Sequence, residues 1–143
     1  MHIPHNKNKH KIQKSHSHKN SIELIHNKTE KYIPHNSTLA SFNITNLYTN
    51  IPTSENLQIL ANMLKQNSTP QVHIDEIIKI TTIITQQNYF HFNKKYYTQP
   101  EGLPLGSPIS SILAEIFIHY IEQIHILNEQ NNKIANKILY WYR

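Results

Sequence analysis

Apolar residues recur along this chain with two different periods. Between residues 38 and 48, Ala40, Phe42 and Ile44 alternate with Ser41, Asn43 and Thr45. Period two with aromatic and β-branched residues predicts a half-buried strand. Asn50-Ile-Pro-Thr-Ser54 then reads as a turn with a cap. A helix is expected from about Glu55 to Gln66, with Leu57, Leu60, Ala61 and Leu64 on one face. Asn67-Ser-Thr-Pro70 breaks it. Ile74, Ile77, Ile78, Thr81 and Ile84 return at helical spacing and predict a second helix over roughly 72–87, against the low helix propensity of so many β-branched residues.

Further along, Tyr89 to Phe92 and Tyr96 to Thr98 flank Asn93-Lys94-Lys95, the pattern of a β-hairpin. The strongest signal is a continuous stripe of Ile109, Ile112, Leu113, Ile116, Phe117, Tyr120, Ile121, Ile124 and Leu127. It predicts a long helix whose stripe is core. Asn128 to Asn132 read as a polar loop, and Lys137 to Arg143 as the start of another apolar, aromatic segment. At the other end, residues 1–20 are low-complexity Asn, Lys, His and Ser, and are expected to be a disordered basic arm. Ser21 is placed to cap a short helix carrying Ile22, Leu24 and Ile25, ended by Pro34.

At 143 residues the chain fits one domain. A chain of that size buries about 68–70% of its unfolded surface when the core is complete. It has no cysteine, which excludes disulfides, a thiolate nucleophile and Cys-ligated zinc, and fits an intracellular protein. No apolar run is long enough to predict a transmembrane helix, and the opening Met1-His-Ile-Pro-His-Asn-Lys lacks the apolar core of a secretory signal. The net charge is +5. Lys7, Lys9, Lys11, Lys14, Lys19, Lys28 and Lys31 supply half of the basic residues, opposed there only by Glu23 and Glu30. Such an arm attracts nucleic acid through counterion release, or is simply a solvated tail.

The two glycines of the chain, Gly102 and Gly106, both fall in Gln99-Pro-Glu-Gly-Leu-Pro-Leu-Gly-Ser-Pro-Ile-Ser110. A chain this poor in glycine places them where the backbone needs conformations that other residues resist. Pro100, Pro104 and Pro108 stiffen the same loop and set a helix start after it. A rigid loop of this kind can hold a flat ligand or a nucleic-acid strand against fixed backbone.

Two segments, Ser41-Phe-Asn-Ile-Thr-Asn-Leu-Tyr-Thr-Asn-Ile-Pro52 and the glycine loop, together with the hairpin before that loop, resemble a reverse transcriptase, most closely the Penelope-like retroelement type. Leu139-Tyr-Trp-Tyr-Arg143 resembles the lead-in to that family's Tyr-Val-Asp-Asp segment. The resemblance covers about residues 21–143. It implies an α+β fold: the fingers and part of the palm of a right-hand polymerase, helix-rich, with a short palm strand and a β-hairpin. It also implies RNA-directed DNA synthesis in the intact family, with template–primer and deoxynucleotides as partners and no membrane.

Polymerases use two metal ions about 4 Å apart to clamp the attacking hydroxyl and the triphosphate. Magnesium takes hard anionic oxygen ligands, so the family supplies an aspartate on the first palm strand and an aspartate pair on a later hairpin. Asn43 stands at the position of the first aspartate. Tyr48 matches the aromatic under the incoming sugar. Gln99, Gly102, Gly106 and Ser107 match the residues lining the nucleotide and template pocket. Asp75 is the only aspartate, on a predicted helix beside Glu76, and the sequence is expected to end before the aspartate pair. No catalytic or metal set is therefore expected intact, and no cofactor is expected for this chain, magnesium being that of the intact family.

Each of these residues has a plainer reading. Asn43 can be a solvated amide, Tyr48 a core aromatic, and the glycines a tight turn and helix entry. Ser107 has no histidine–acid partnership and is not a nucleophile candidate. Lys94 and Lys95 either contact phosphate or keep a turn soluble. His2, His5, His10, His16 and His18 lack the fixed spacing of a closed metal site, and His119 and His125 fall on different helix faces. Glu115, Glu122 and Glu129 read as a solvated helix edge. Two alternatives stand beside the polymerase fragment: a small basic nucleic-acid-binding protein on a residual scaffold, and a helical interaction module using the 109–127 stripe.

Overall fold

In the computed structural model, residues 13–14, 33–128, 130 and 134–141 are described. The short helix expected after Ser21, the five histidines of the arm and Glu129 lie outside them. The chain divides into two compact units. The larger, Phe42–Ile124, carries the helices and the hairpin. The smaller combines Met1–Ser41 with His125–Arg143. In it Gln13–Lys14 (β1) pairs in parallel with Tyr140–Trp141 (β4), and Ala135–Lys137 forms a single 3-10 turn.

The larger unit begins without the expected palm strand. Residues 37–44 are irregular, and the chain turns at Thr45–Asn46 into one helical turn, Leu47–Asn50 (α1). Alternation alone does not make a strand. The backbone groups need an adjacent edge, and among the described residues no strand pairs with this stretch. Phe42 and Ile44, expected on a buried face, are 78% and 53% exposed. Asn46 takes the left-handed conformation (φ 50°), which redirects the chain into α1.

The helices follow the sequence more closely. Thr53–Gln66 (α2) carries Glu55 in its first turn and Lys65 in its last, the arrangement that suits the helix dipole. It ends in a Schellman motif: Ser68 N–H donates to the Lys65 carbonyl and Thr69 N–H to the Leu64 carbonyl, with Ser68 left-handed at φ 59°. Pro70 then opens Gln71–Gln86 (α3), so α2 and α3 form a helical hairpin. In α3, Thr82 Oγ1 donates to the Ile78 carbonyl and Thr85 Oγ1 to that of Thr81, which lets Thr85 be buried. Ile77, expected on the inner face, is exposed, and Thr85 takes an inner place beside Ile74 and Thr81.

Tyr89–Phe92 (β2) and Lys95–Thr98 (β3) pair antiparallel, with Phe90 opposite Tyr97 and His91 opposite Tyr96. The turn residues Asn93 and Lys94 both have positive φ, 47° and 61°, the geometry of a two-residue primed turn. Pro108–Ile121 (α4) follows the glycine loop, with Pro108 in its first turn, and continues as a π-helical segment over Glu122–Ile126. The element predicted over 109–127 is thus present, but its last turn is widened. The structure is a helix-rich α+β arrangement with a small antiparallel hairpin. No helix among the described residues is long and apolar enough to cross a membrane.

The core gathers Ile51, Leu60, Leu103, Leu113 and Ala114, surrounded by Leu47, Tyr48, Met63, Leu64, Ile78, Ile109, Ile116 and Phe117. The predicted stripe on α4 is core only in part, since Ile112 is 59% exposed. Glu122, expected on a solvated edge, is buried, whereas Glu115 one heptad earlier is exposed. The spacing puts both on one side of the helix, so their surroundings differ rather than their phase. On α2 the buried face is Asn56, Ile59 and Leu60, rotated from the expected face through Leu57 and Ala61.

Asn56 explains that rotation. It is fully buried, and its Nδ2 donates to the Leu113 carbonyl of α4 at 2.9 Å. The Nδ2 bond offsets part of the cost of burying the amide and fixes the register of α2 on α4, while Asn56 Oδ1 is buried without a hydrogen-bond partner. Asn56→Ala should lower unfolding free energy by about 1–3 kcal/mol. Asn56→Asp should cost more, because it buries an anion against a carbonyl oxygen. Urea unfolding followed by circular dichroism checks the order of the two variants, and an Asp variant as stable as the wild type would contradict it.

Candidate functional site

The two segments that carry the resemblance, some fifty residues apart in sequence, meet in the larger unit. Leu103 N–H donates to the Tyr48 carbonyl at 2.8 Å. Thr53 Oγ1 donates to the Gly102 carbonyl at 3.0 Å. Gly102 lies so close over α1 that a Cβ built there would stand 2.5 Å from Thr49 Cα, and its φ is +84°. Both constraints demand glycine at that position. Leu103 is fully buried in the core beside Ile51.

The loop is braced from its other side by the hairpin base. Gln99 N–H donates to the Asn88 carbonyl at 2.9 Å, and Asn88 Nδ2 to the Gln99 carbonyl at 3.2 Å, which continues the strand pairing by one rung. Asn88 Nδ2 also reaches the Gly102 carbonyl at 3.5 Å. The Gln99 side chain turns back on its own loop, Nε2 donating to the carbonyls of Glu101 at 2.6 Å and Leu103 at 3.2 Å. Its two amide hydrogens are thereby engaged within the loop. At the far end Ser110 Oγ donates to the Pro104 carbonyl at 2.7 Å.

The remaining candidates lie in the same unit. Tyr48 lies in α1, half-buried against the core. Gly106 is exposed at φ +86°, and a Cβ there would meet nothing within 4 Å, so it serves the turn rather than a close approach. Ser107 is the N-cap residue of α4 but makes no capping bond, and its buried Oγ has no hydrogen-bond partner. Asn43 is exposed in the irregular stretch, and no hydrogen bond among the described residues ties it to the glycine loop. Lys94 and Lys95 stand exposed at the hairpin tip. Asp75 is exposed on α3, where its Oδ1 accepts from Gln71 Nε2 at 2.8 Å. Among the described residues no three His, Asp or Glu side chains group as a metal site.

Thr49, Thr53 and Asn88 do much of the positioning and were not singled out from sequence. Asn88 had a signal: it sits one rung beyond the hairpin, opposite Gln99. Thr53 had a weaker one, since it opens a helix but spends its hydroxyl across the chain instead of on a cap.

The telomerase reverse transcriptase of Euplotes aediculatus is 37% identical to this chain over 49 residues. That match covers 34% of the chain and 5% of the telomerase protein, so the chain spans only a small part of that relative's length. No protein-family model and no solved structure matches. The local similarity supports a reverse transcriptase-like relationship. It comes through a telomerase and bears on that broad class, not on the Penelope-like type.

The two glycines should separate in a stability measurement. Gly102→Ala meets both the left-handed φ and the Thr49 backbone, and should destabilise by roughly 2–4 kcal/mol. Gly106→Ala meets only the φ, and should cost about 1–2 kcal/mol. Equal losses in chemical denaturation would show that Gly102 does not pack on α1 as described.

Proposed function

We propose that this chain is part of a retroelement reverse transcriptase of the Penelope-like type, contributing fingers and some palm, and that the 143-residue polypeptide does not itself polymerise DNA. The observation that carries this reading is the joint between Tyr48–Thr49 and Gly102–Leu103. It joins the two motif segments whose order and spacing carry the resemblance, and the telomerase similarity supports the same class. In this reading Tyr48, Gln99, Gly102, Gly106 and Ser107 belong to the nucleotide and template region, and the parent element's enzyme copied RNA into DNA with magnesium.

Inactivity follows from the ligand chemistry. Asn43 offers a neutral amide oxygen where the reaction needs a carboxylate. The only aspartate of the sequence, Asp75, is on α3 and paired with Gln71. Among the described residues no group of carboxylates forms the set of anionic oxygens that two-metal phosphoryl transfer requires. What remains is nucleic-acid binding through the basic arm and the loop, driven by charge and weakened by salt.

In primer extension on an RNA template, with magnesium or manganese and all four deoxynucleotides, the chain should incorporate nothing. Asn43→Asp should be equally silent, because one restored carboxylate does not make a two-metal site. Template-dependent incorporation by either protein would overturn the inactivity.

A further inference from the structure

The hairpin β2–β3 is exposed along both strands, yet it is among the most aromatic parts of the chain. By alternation, Phe90, Phe92, Lys95 and Tyr97 share one face, and Tyr89, His91, Tyr96 and Thr98 the other. Phe90 and Tyr97 lie nearly parallel, 19° apart with centroids at 5.5 Å. On the other face Tyr96 meets His91 at 5.0 Å and Tyr89 edge-on at 6.5 Å. Phe92 is 68% and Tyr96 76% exposed. A two-stranded hairpin gains little stability by itself, and these cross-strand ring pairs hold it together while leaving ring surface in solvent.

Along the sequence flanking the rings the charge has one sign. No aspartate or glutamate occurs between Glu76 and Glu101, whereas Lys94 and Lys95 are at the tip, Lys95 on the Phe90–Tyr97 face. Open aromatic faces beside uncompensated ammonium groups suit a ligand with flat π-systems joined by phosphates. We infer that this hairpin is a stacking platform for single-stranded nucleic acid, with bases on Phe90 and Tyr97 and the backbone phosphates met by Lys94 and Lys95. This rests on the nucleic-acid partner of the reading above, and gives it a site other than the basic arm. Single strands are favoured over duplex because only unpaired bases offer their faces to side chains.

The test is fluorescence anisotropy of the full chain with a labelled oligodeoxythymidine and with a labelled duplex. The double variant Phe90→Leu/Tyr97→Leu keeps apolar bulk and removes the rings. It should weaken single-strand binding on the order of tenfold and leave duplex binding unchanged. Phe90→Trp/Tyr97→Trp should restore it, which separates stacking from damage to the hairpin. Lys94→Gln/Lys95→Gln should reduce the salt dependence of log K by about two. Unchanged single-strand affinity in the leucine variant would overturn the proposal. So would ligand-free dimerisation in sedimentation that depends on Phe90 and Tyr97, since the rings would then serve a second copy. Binding lost only when the seven arm lysines are replaced by glutamine would also overturn it while leaving the polymerase reading intact. Failure of the inactivity, by contrast, shows in primer extension and not in these measurements.

Discussion

The larger unit depends on one crossing of backbone over backbone, Gly102–Leu103 against Tyr48–Thr49. Its hydrogen bond, from Leu103 N–H to the Tyr48 carbonyl, is short, and the side chain that follows is fully buried. Burial of a leucine of this kind is worth about 1.5–3 kcal/mol. The approach is close enough to exclude any Cβ at Gly102. The Gly102 carbonyl then gathers Thr53 from the start of α2 and Asn88 from the hairpin base. One residue without a side chain therefore ties α1, α2, the hairpin and the entry to α4.

That arrangement divides labour within the loop. Gly102 is needed for contact and Gly106 for the turn alone, although both appear in sequence as the same signal. Gln99 is more ambiguous still. Its motif position implies a ligand contact, but its Nε2 bonds to Glu101 and Leu103. A glutamine so engaged shapes the loop that a ligand would meet, and its hydrogens can reach a ligand only by giving up bonds inside the loop. Ser107 differs: its Oγ is buried without a partner at the start of α4.

Much of the fold was legible because it rests on local signals. Pro70 and the Asn67–Thr69 break separate α2 from α3, the aromatic runs flanking Asn93-Lys94-Lys95 mark the hairpin, and Pro108 opens α4. What failed was whatever depended on a distant partner. The alternation of Ala40, Phe42 and Ile44 looked like a strand, but a strand is defined by its neighbour, and sequence period carries no record of whether one is present. The inner face of α2 was misplaced for the same reason. Asn56 reads as polar and outward, and only the Leu113 carbonyl opposite makes it an interior residue. The loop's importance was visible in its glycines, whereas the atoms bracing it belong to Thr53 and Asn88, common residues with no pattern.

The polymerase relationship and the hairpin platform stand on different physical grounds. The first depends on a buried joint: two segments remote in sequence, held together by a contact that tolerates no side chain, with a local telomerase similarity alongside. The second depends on what is left uncovered, rings and ammonium groups with no acid near them in sequence. Gly102 and Leu103 are constrained by packing whatever chemistry the loop serves. The exposed aromatics pack on one another across the two strands instead. What those pairs leave in water, beside two lysines at the tip, is the surface that a stacking ligand would need.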